Sequence, residues 1–588
     1  MTAGPVLAQA LSLGVLSFAA VILLLASAAC SDRSVPPSLS LDRATLGGSS
    51  GPRVHASSTE LETSIRALID SGDPALGLLM HAERLELHEL YRVGGYLPLW
   101  LDATGRPDRD AREMLALHDA VADEGLDSAD YGRVQLDRLM ALLESTSPAS
   151  PTDLARFDVA VSSGALRYLR HLHMGRVDPR AIGFRLSVPV DQHDFAALVR
   201  GALATHRLAD LAAGLRPPLA QYQALRMLLV QYRRRAADTT LEPPPPSSTV
   251  VRPGEAYDGV GQLWRLLVAV GDLPPGTPAS SADAARYDGW LVEGVKRFQV
   301  RHGLEVDGIL GKRTLAALRT PVAWRVRQIE LALERLRWLP HLGERRLIAL
   351  NIPMFRLWAW DSIPPTGVPL FGMDVIVGRA LSTETPVFLA EMREVIFRPY
   401  WNVPRSILRG EILPMIERDP DYLQRANMEI VDGPGDNATP VDLTAESLVR
   451  LRQGTLRLRQ RPGPQNALGL IKFVSPNEEN VYMHGTPAQA LFARSRRDFS
   501  HGCVRVEDPV TLAEWALKET PAWNRERIFA ATTRSRSIHV KLARPIQVIL
   551  FYTTAAVMPE DGMIRFAEDI YRHDIRLDRA LTTRDPVH

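Results

Sequence analysis

Cysteine is nearly absent from this chain. Cys30 and Cys503 are the only two in 588 residues. Cys30 ends an apolar leader, so processing of that leader leaves Cys503 without a partner in its own chain. That excludes an internal disulfide for Cys503. Excess charge is missing as well. The formal net charge is +1, which excludes the strongly basic footprint of a nucleic-acid binder, and no nucleic-acid partner is expected. Beyond the leader no segment is long and apolar enough to span a bilayer. What is present is ordinary globular material, 46% hydrophobic and 23% charged, enough for large cores. The length predicts three or four domains at about 150 residues each.

A lone thiol in an exported protein needs a reason, because an oxidising compartment works against unpaired cysteine. Cys503 lies in Ser500-His501-Gly502-Cys503-Val504-Arg505-Val506, downstream of Tyr482-Met483-His484-Gly485-Thr486-Pro487. A free thiol has a pKa of about 8.5, so little thiolate exists at neutral pH. An imidazole, with a reference pKa of about 6.5, takes that proton and returns it to a leaving amine. His501 and His484 both qualify by position. An extended Phe499 to Val506 puts His501 and Cys503 on one face, and His484 on a second apolar run faces the thiol across a sheet. Gly485 and Gly502 allow close backbone approach, and free N–H groups there suit an oxyanion hole. Two histidines and a cysteine are also zinc-ligand types. With no second cysteine or carboxylate at metal spacing, neither a metal nor another cofactor is expected.

His-Gly-Thr-Pro followed by Ser-His-Gly-Cys-Val-Arg-Val resembles the signature of the L,D-transpeptidase catalytic domain, a β-rich fold with a cysteine nucleophile. The resemblance implies Cys503 as nucleophile and His484 as general base, with the Gly485 carbonyl orienting the imidazole where other enzymes use a carboxylate. It implies that His501, Gly502 and Arg505 shape the site. Tyr482, Ser500, Arg505 and Trp401 are the expected substrate-binding residues. Trp401 is read either as lining the substrate channel or as a core tryptophan.

The chain divides in order. Residues 1–30 are the leader, with three competing readings: a cleaved signal, a lipoprotein signal and a membrane anchor. Ala28-Ala29-Cys30 is similar to the end of a lipobox, but Ser27 stands where leucine is usual, and no Lys or Arg precedes Arg33. All three readings place the bulk of the protein outside the cytoplasm, in the periplasm or cell envelope. Residues 31–58, rich in Ser, Pro, Gly and Arg, read as a flexible tether. Residues 59–240 show apolar positions at three-and-four spacing and read as a helical scaffold domain, similar to that of the larger L,D-transpeptidases. Residues 241–258, with Pro243 to Pro246, read as a stiff extended linker. Residues 259–320 form a compact helical unit. Its run Val295-Lys296-Arg297-Phe298-Gln299 through Asp307-Gly308 and Gly311 to Thr314-Leu315 resembles a peptidoglycan-binding module. Residues 321–344 predict a connecting helix.

Residues 345–553 are the expected catalytic domain, with an insertion at about 405–464 as a capping subdomain. Ile546 to Tyr552 and Met563 to Phe566 are predicted to close its sheet, and 554–588 are read as a C-terminal strand and tail. The expected architecture is therefore multi-domain α+β. The resemblance implies cross-linking of peptidoglycan stem peptides, with glycan as a further partner of the module. The same machinery serves a carboxypeptidase or a protein-anchoring enzyme if water or a protein lysine is the acceptor. An idle wall-binding scaffold is the reading from another class. Carbapenem-type β-lactams are the expected acylating inhibitors.

Overall fold

The structure is a computed structural model that describes residues 58–71, 81–145, 149–186, 193–278, 285–339, 342, 345–419 and 421–583. The expected leader, and the tether except for its last residue, lie outside them. Among the described residues no helix is long and apolar enough to cross a membrane.

The N-terminal region is helical, organised around Pro151–Met174. Its start is fixed by Ser150, whose hydroxyl accepts from the Asp153 N–H, and by proline in the first turn; Gly175 ends it. Both ordinary faces of this helix are buried, against helices that include Ser58–Ser71, His81–Arg92 and Arg109–Asp119. A buried carboxylate, Asp158, ties the layers together. It accepts from Tyr91 at 2.6 Å and from the Trp100 N–H at 2.8 Å. Burial pushes Asp158 up to about 6 despite those bonds.

The helical module contains Val260–Ala269, Trp290–Arg301 and Lys312–Leu318 around a separate apolar cluster. Gln299 holds its turn, donating to Asp307 at 2.8 Å and accepting from the Gly308 N–H at 2.8 Å. The proline-rich stretch before it does not stand free as a spacer. Pro244 and Pro245 offer carbonyls to Arg319 and Tyr257 at 2.7 Å each, which straps the stretch onto the module.

The helix Val322–Arg337 runs between all three regions. Glu334 accepts from the Val177 N–H of the scaffold at 3.0 Å. Arg335 pairs with Asp574 at 2.6 Å, both side chains fully buried. Arg337 bonds Tyr222 of the scaffold. Its apolar side meets the sheet described next.

The β-rich part has strands β1 (Leu347–Asn351), β2 (Arg356–Trp360), β3 (Phe371–Gly378), β4 (Phe388–Phe397), β5 (Trp401–Asn402), β6 (Met428–Asp432), β7 (Thr439–Val441), β8 (Arg457–Gln460), β9 (Ile471–Val474), β10 (Met483–His484), β11 (Asp498–Ser500), β12 (Val504–Val506), β13 (Ile538–Phe551), β14 (Ala555–Val557) and β15 (Ile564–Phe566). Nine of them make one sheet in the order β11-β3-β12-β10-β9-β4-β13-β1-β2, and β2 also pairs with β3, so the sheet curves onto itself. Side chains alternate across it. Phe473, Met483 and Val504 point into the main core, and their neighbours point the other way. The insertion forms its own four-stranded sheet, β5-β8-β6-β7, with a small core of Leu408, Ile412, Ile416, Ile430, Leu451 and Leu458. Its first strand, β5, starts at Trp401. Arg459, on its basic strand, is buried against Glu429 at 2.7 Å rather than facing water.

Two expectations for the C-terminal part are corrected. Met563 to Phe566 does not close the sheet, because among the described residues β15 pairs with β14 alone, in a separate ribbon. The closing strand is β13, which runs from Ile538 and pairs with both β4 and β1. The region read as a tail contains the helix His573–Thr582, locked to Val322–Arg337 through the Arg335–Asp574 pair.

Candidate active site

Strand register brings the reactive residues together. β10 and β12 are parallel neighbours, with His484 opposite Arg505. β9 is antiparallel to β10, with Lys472 opposite His484. With period-two alternation, Tyr482, His484, Lys472 and Arg505 therefore share the face turned away from the main core. The Val504 N–H donates to the Tyr482 carbonyl at 3.0 Å, which extends the pairing to Cys503 and Tyr482.

His484 is 4% exposed. Its Nδ1 lies 2.5 Å from the Gly485 carbonyl oxygen. A carbonyl only accepts, so Nδ1 carries the hydrogen and Nε2 keeps its lone pair. Burial pushes His484 down to about 3; the nearby Arg505 and Lys472 cations push the same way, while the Gly485 and Leu468 carbonyls oppose them. Cys503 is partly buried and unpaired. Burial raises its thiol, opposed by hydrogen bonding from the Tyr482 backbone and phenol and by Lys472 and Arg505. The Sγ hydrogen bond goes to the Asn480 carbonyl, 4.0 Å away; among the described residues none joins Sγ to His484. The two groups share a face but are not in direct hydrogen-bond contact.

The turn that carries Cys503 is braced from below. Ser500 is 2% exposed; its hydroxyl donates to the Cys503 carbonyl at 2.5 Å and accepts the Gly502 N–H at 3.2 Å. It is thus occupied within the turn rather than offered to substrate. Gly502 has φ +108°, a conformation that favours glycine. Thr385 donates to the Gly502 carbonyl at 2.8 Å and accepts the Gly378 N–H at 2.8 Å. Tyr571 closes the brace by donating to the Gly378 carbonyl at 2.6 Å. A Cβ on Gly378 would collide with the Thr383 carbonyl oxygen and stand 2.8 Å from the Thr385 N. Gly378→Ala is therefore expected to cost about 1–3 kcal/mol and to slow Cys503 acylation by displacing Thr385, as thermal unfolding and acylation mass shifts will read.

The insertion lies over this face. His501 Nε2 is 2.7 Å from Glu411 Oε1 of the insertion. On the far side, His539 contacts Glu394 at 3.2 Å and Asp436 of the insertion at 2.9 Å. Burial pulls His539 down, but those carboxylates overcome it and hold its pKa up. His501 is thus engaged with the cap through its contact with Glu411. Trp401 packs, half-buried, against the cap's own core. Arg505 is a partly buried cation whose Nε lacks a hydrogen-bond partner. Sequence reasoning missed Lys472, Asn480, Thr385, Glu411 and Tyr571, which reach the site from segments far apart in the chain.

Three comparisons with known proteins bear on this chain. Residues 345–523 match the L,D-transpeptidase catalytic domain, residues 85–229 a scaffold domain, and residues 257–318 a family described as "Putative peptidoglycan binding domain". A curated protein of Haemophilus influenzae, described as "Putative L,D-transpeptidase", is 34% identical over 258 residues, which is 43% of this chain and 49% of that protein. The chain thus spans about half the length of the curated relative it matches. A crystal structure of an L,D-transpeptidase (residues 123–326) from Xylanimonas cellulosilytica aligns with 52% of this chain and all of that one, at 15% identity and a TM-score of 0.16, a superposition too poor to bear on the fold.

Proposed function

We propose, from the premise that residues 345–523 form an L,D-transpeptidase catalytic domain, that this protein joins peptidoglycan stem peptides by 3→3 cross-links through a thioester on Cys503. The observation that carries this reading is the shared face: thiol, neutral imidazole and unpartnered guanidinium on adjoining strands beneath a fastened cap.

In the first step Cys503 attacks the carbonyl of the diaminopimelate-to-D-Ala bond of a tetrapeptide stem. The proton of Sγ passes to Nε2 of His484, whose Nδ1–H stays on the Gly485 carbonyl. The C–N bond breaks, the proton goes to the leaving amine, D-Ala departs and a thioester remains. Because the Gly502 N–H is held by Ser500, the oxyanion falls to the N–H of Cys503 itself. In the second step the side-chain amine of another stem attacks the thioester, passes a proton to His484 and releases the thiol. The reaction as written takes no metal or cofactor. Arg505 offers its charge to a stem carboxylate. The module at 257–318 holds glycan, and the protein works outside the cytoplasm. Carbapenem-type β-lactams acylate Cys503 by the same attack.

The test is mass spectrometry of purified disaccharide-tetrapeptide incubated with the protein. A dimer lighter than two monomers by one D-Ala supports the transpeptidase. Tripeptide alone means that water is the acceptor and overturns the cross-linking reading. No change in the substrate leaves the wall-binding scaffold.

A further inference from the structure

Across the reactive face, one cation has no role in the chemistry above. Lys472 stands opposite His484 on β9. Its Nζ lies 3.8 Å from the centre of the Tyr482 ring, and the Tyr482 phenol helps to hold the Cys503 thiol down against the effect of burial. The carboxylates on that side, Glu394 and Asp436, are both engaged by His539. Among the described residues Lys472 has no ion-pair partner, so its charge is left facing the thiol.

We propose that Lys472 is a positioning residue that supports the Cys503 thiolate, through space and through the Tyr482 ring on which it is stacked. When Sγ gives its proton to His484, the imidazolium forms in a buried place between Lys472 and Arg505, where a third positive charge is disfavoured. The thiolate relies on the standing cations until it attacks, and the imidazolium gives its proton to the amine as the C–N bond breaks. Burial lowers the pKa of Lys472, opposed by the Cys503 thiolate and by Glu394 and Asp436. The groups around the thiol are Tyr482 and His484 on β10, Arg505 on β12, Arg379 after β3, and His501 with Glu411 at the cap; around Lys472 they are Glu394 and Asp436. Tyr482, Lys472 and Arg505 favour the thiolate against burial, and of the two cations Lys472 is the one carried on β9, which faces His484 across the sheet.

The inference rests on Cys503 being the nucleophile, and the test separates the two. In the full protein, carboxamidomethylation of Cys503 by iodoacetamide is followed by peptide mass spectrometry from about pH 6 to about pH 10, in wild type, Lys472→Met and Lys472→Arg. The midpoint is expected to rise by about one unit in Lys472→Met, so reactivity near neutrality falls about tenfold, and Lys472→Arg restores most of it. The acyl-transfer kcat falls in proportion while KM changes little. An unmoved profile with a raised KM overturns the proposal in favour of a substrate-carboxylate contact; an unmoved profile with unmoved kinetics leaves only packing. If Lys472→Met fails to fold, Tyr482→Phe, which keeps the ring and removes the hydroxyl, is expected to raise the midpoint too, and no shift there overturns the proposal. Absence of any acyl transfer by the wild type, to amine or to water, sinks the nucleophile reading instead.

Discussion

His484→Ala slows acylation of Cys503 by about 10²–10⁴-fold, and Cys503→Ala ends it. The reason lies in the Nδ1–H bond to Gly485. It fixes the ring in the tautomer whose Nε2 accepts a proton, so loss of the imidazole removes the acceptor and leaves a raised thiol to ionise into water. The pH dependence follows from the same burial. His484 is protonated only below about 3, so at any pH from weakly acid upward the base is already neutral. The acylation rate therefore shows no limb near pH 6.5. It is level where the thiol and the neutral imidazole coexist and rises further only as the raised thiol ionises by itself. Acylation by a carbapenem, timed by the mass shift of the intact protein, checks both statements. A half-maximal point near 6.5 that disappears in His484→Ala would show an exposed, ordinary histidine instead.

Asp574→Ala destabilises the protein by about 3–5 kcal/mol. Arg335 and Asp574 are both fully buried and 2.6 Å apart, and Thr554 donates to the second Asp574 oxygen at 2.5 Å. Removing the carboxylate leaves a guanidinium with no water and no partner. Arg335 already has Nε and one terminal nitrogen without a hydrogen bond, so Asp574 is its main anchor. Replacing both residues by leucine removes the charge and its partner together and recovers most of the loss. Thermal unfolding is the measurement, with a fall of several degrees for the single change and a much smaller one for the pair. Equal loss in both would mean that the site tolerates no apolar filling.

The site was legible in sequence to the extent that it is local. Cys503, His501 and Gly502 lie within one short turn, and His484 with Gly485 within another, so type and spacing were enough to single them out. Ser500 was visible but its bonds within the turn were not, because sequence does not show which way a hydroxyl turns. Lys472 was invisible: a lysine among apolar strand residues reads as a solvent-facing position, and only the register of β9 against β10 puts it on the reactive face. Thr385 and Tyr571 act on Gly378 and Gly502 through contacts between distant segments. The large fold elements followed their periodicity, and the helical and β-rich regions stand as expected. The helix His573–Thr582 was hidden because two of its inward positions are His573 and Asp574, which weaken the apolar stripe that a helix is read from.

β13 has a consequence for how the protein comes into being. It lies inside the sheet, between β4 and β1, and its register joins Leu347 to Gln547 and Phe397 to Ile538. Those partners are the most widely separated of the strand pairings among the described residues, and such contacts close late because the intervening loop must first be ordered. A chain emerging from its amino end thus finishes the scaffold and the module early, while the sheet that carries His484 and Cys503 waits with a gap in its middle. Cys503 belongs to the last part of the molecule to acquire its shape, after nearly all of the polypeptide has been made.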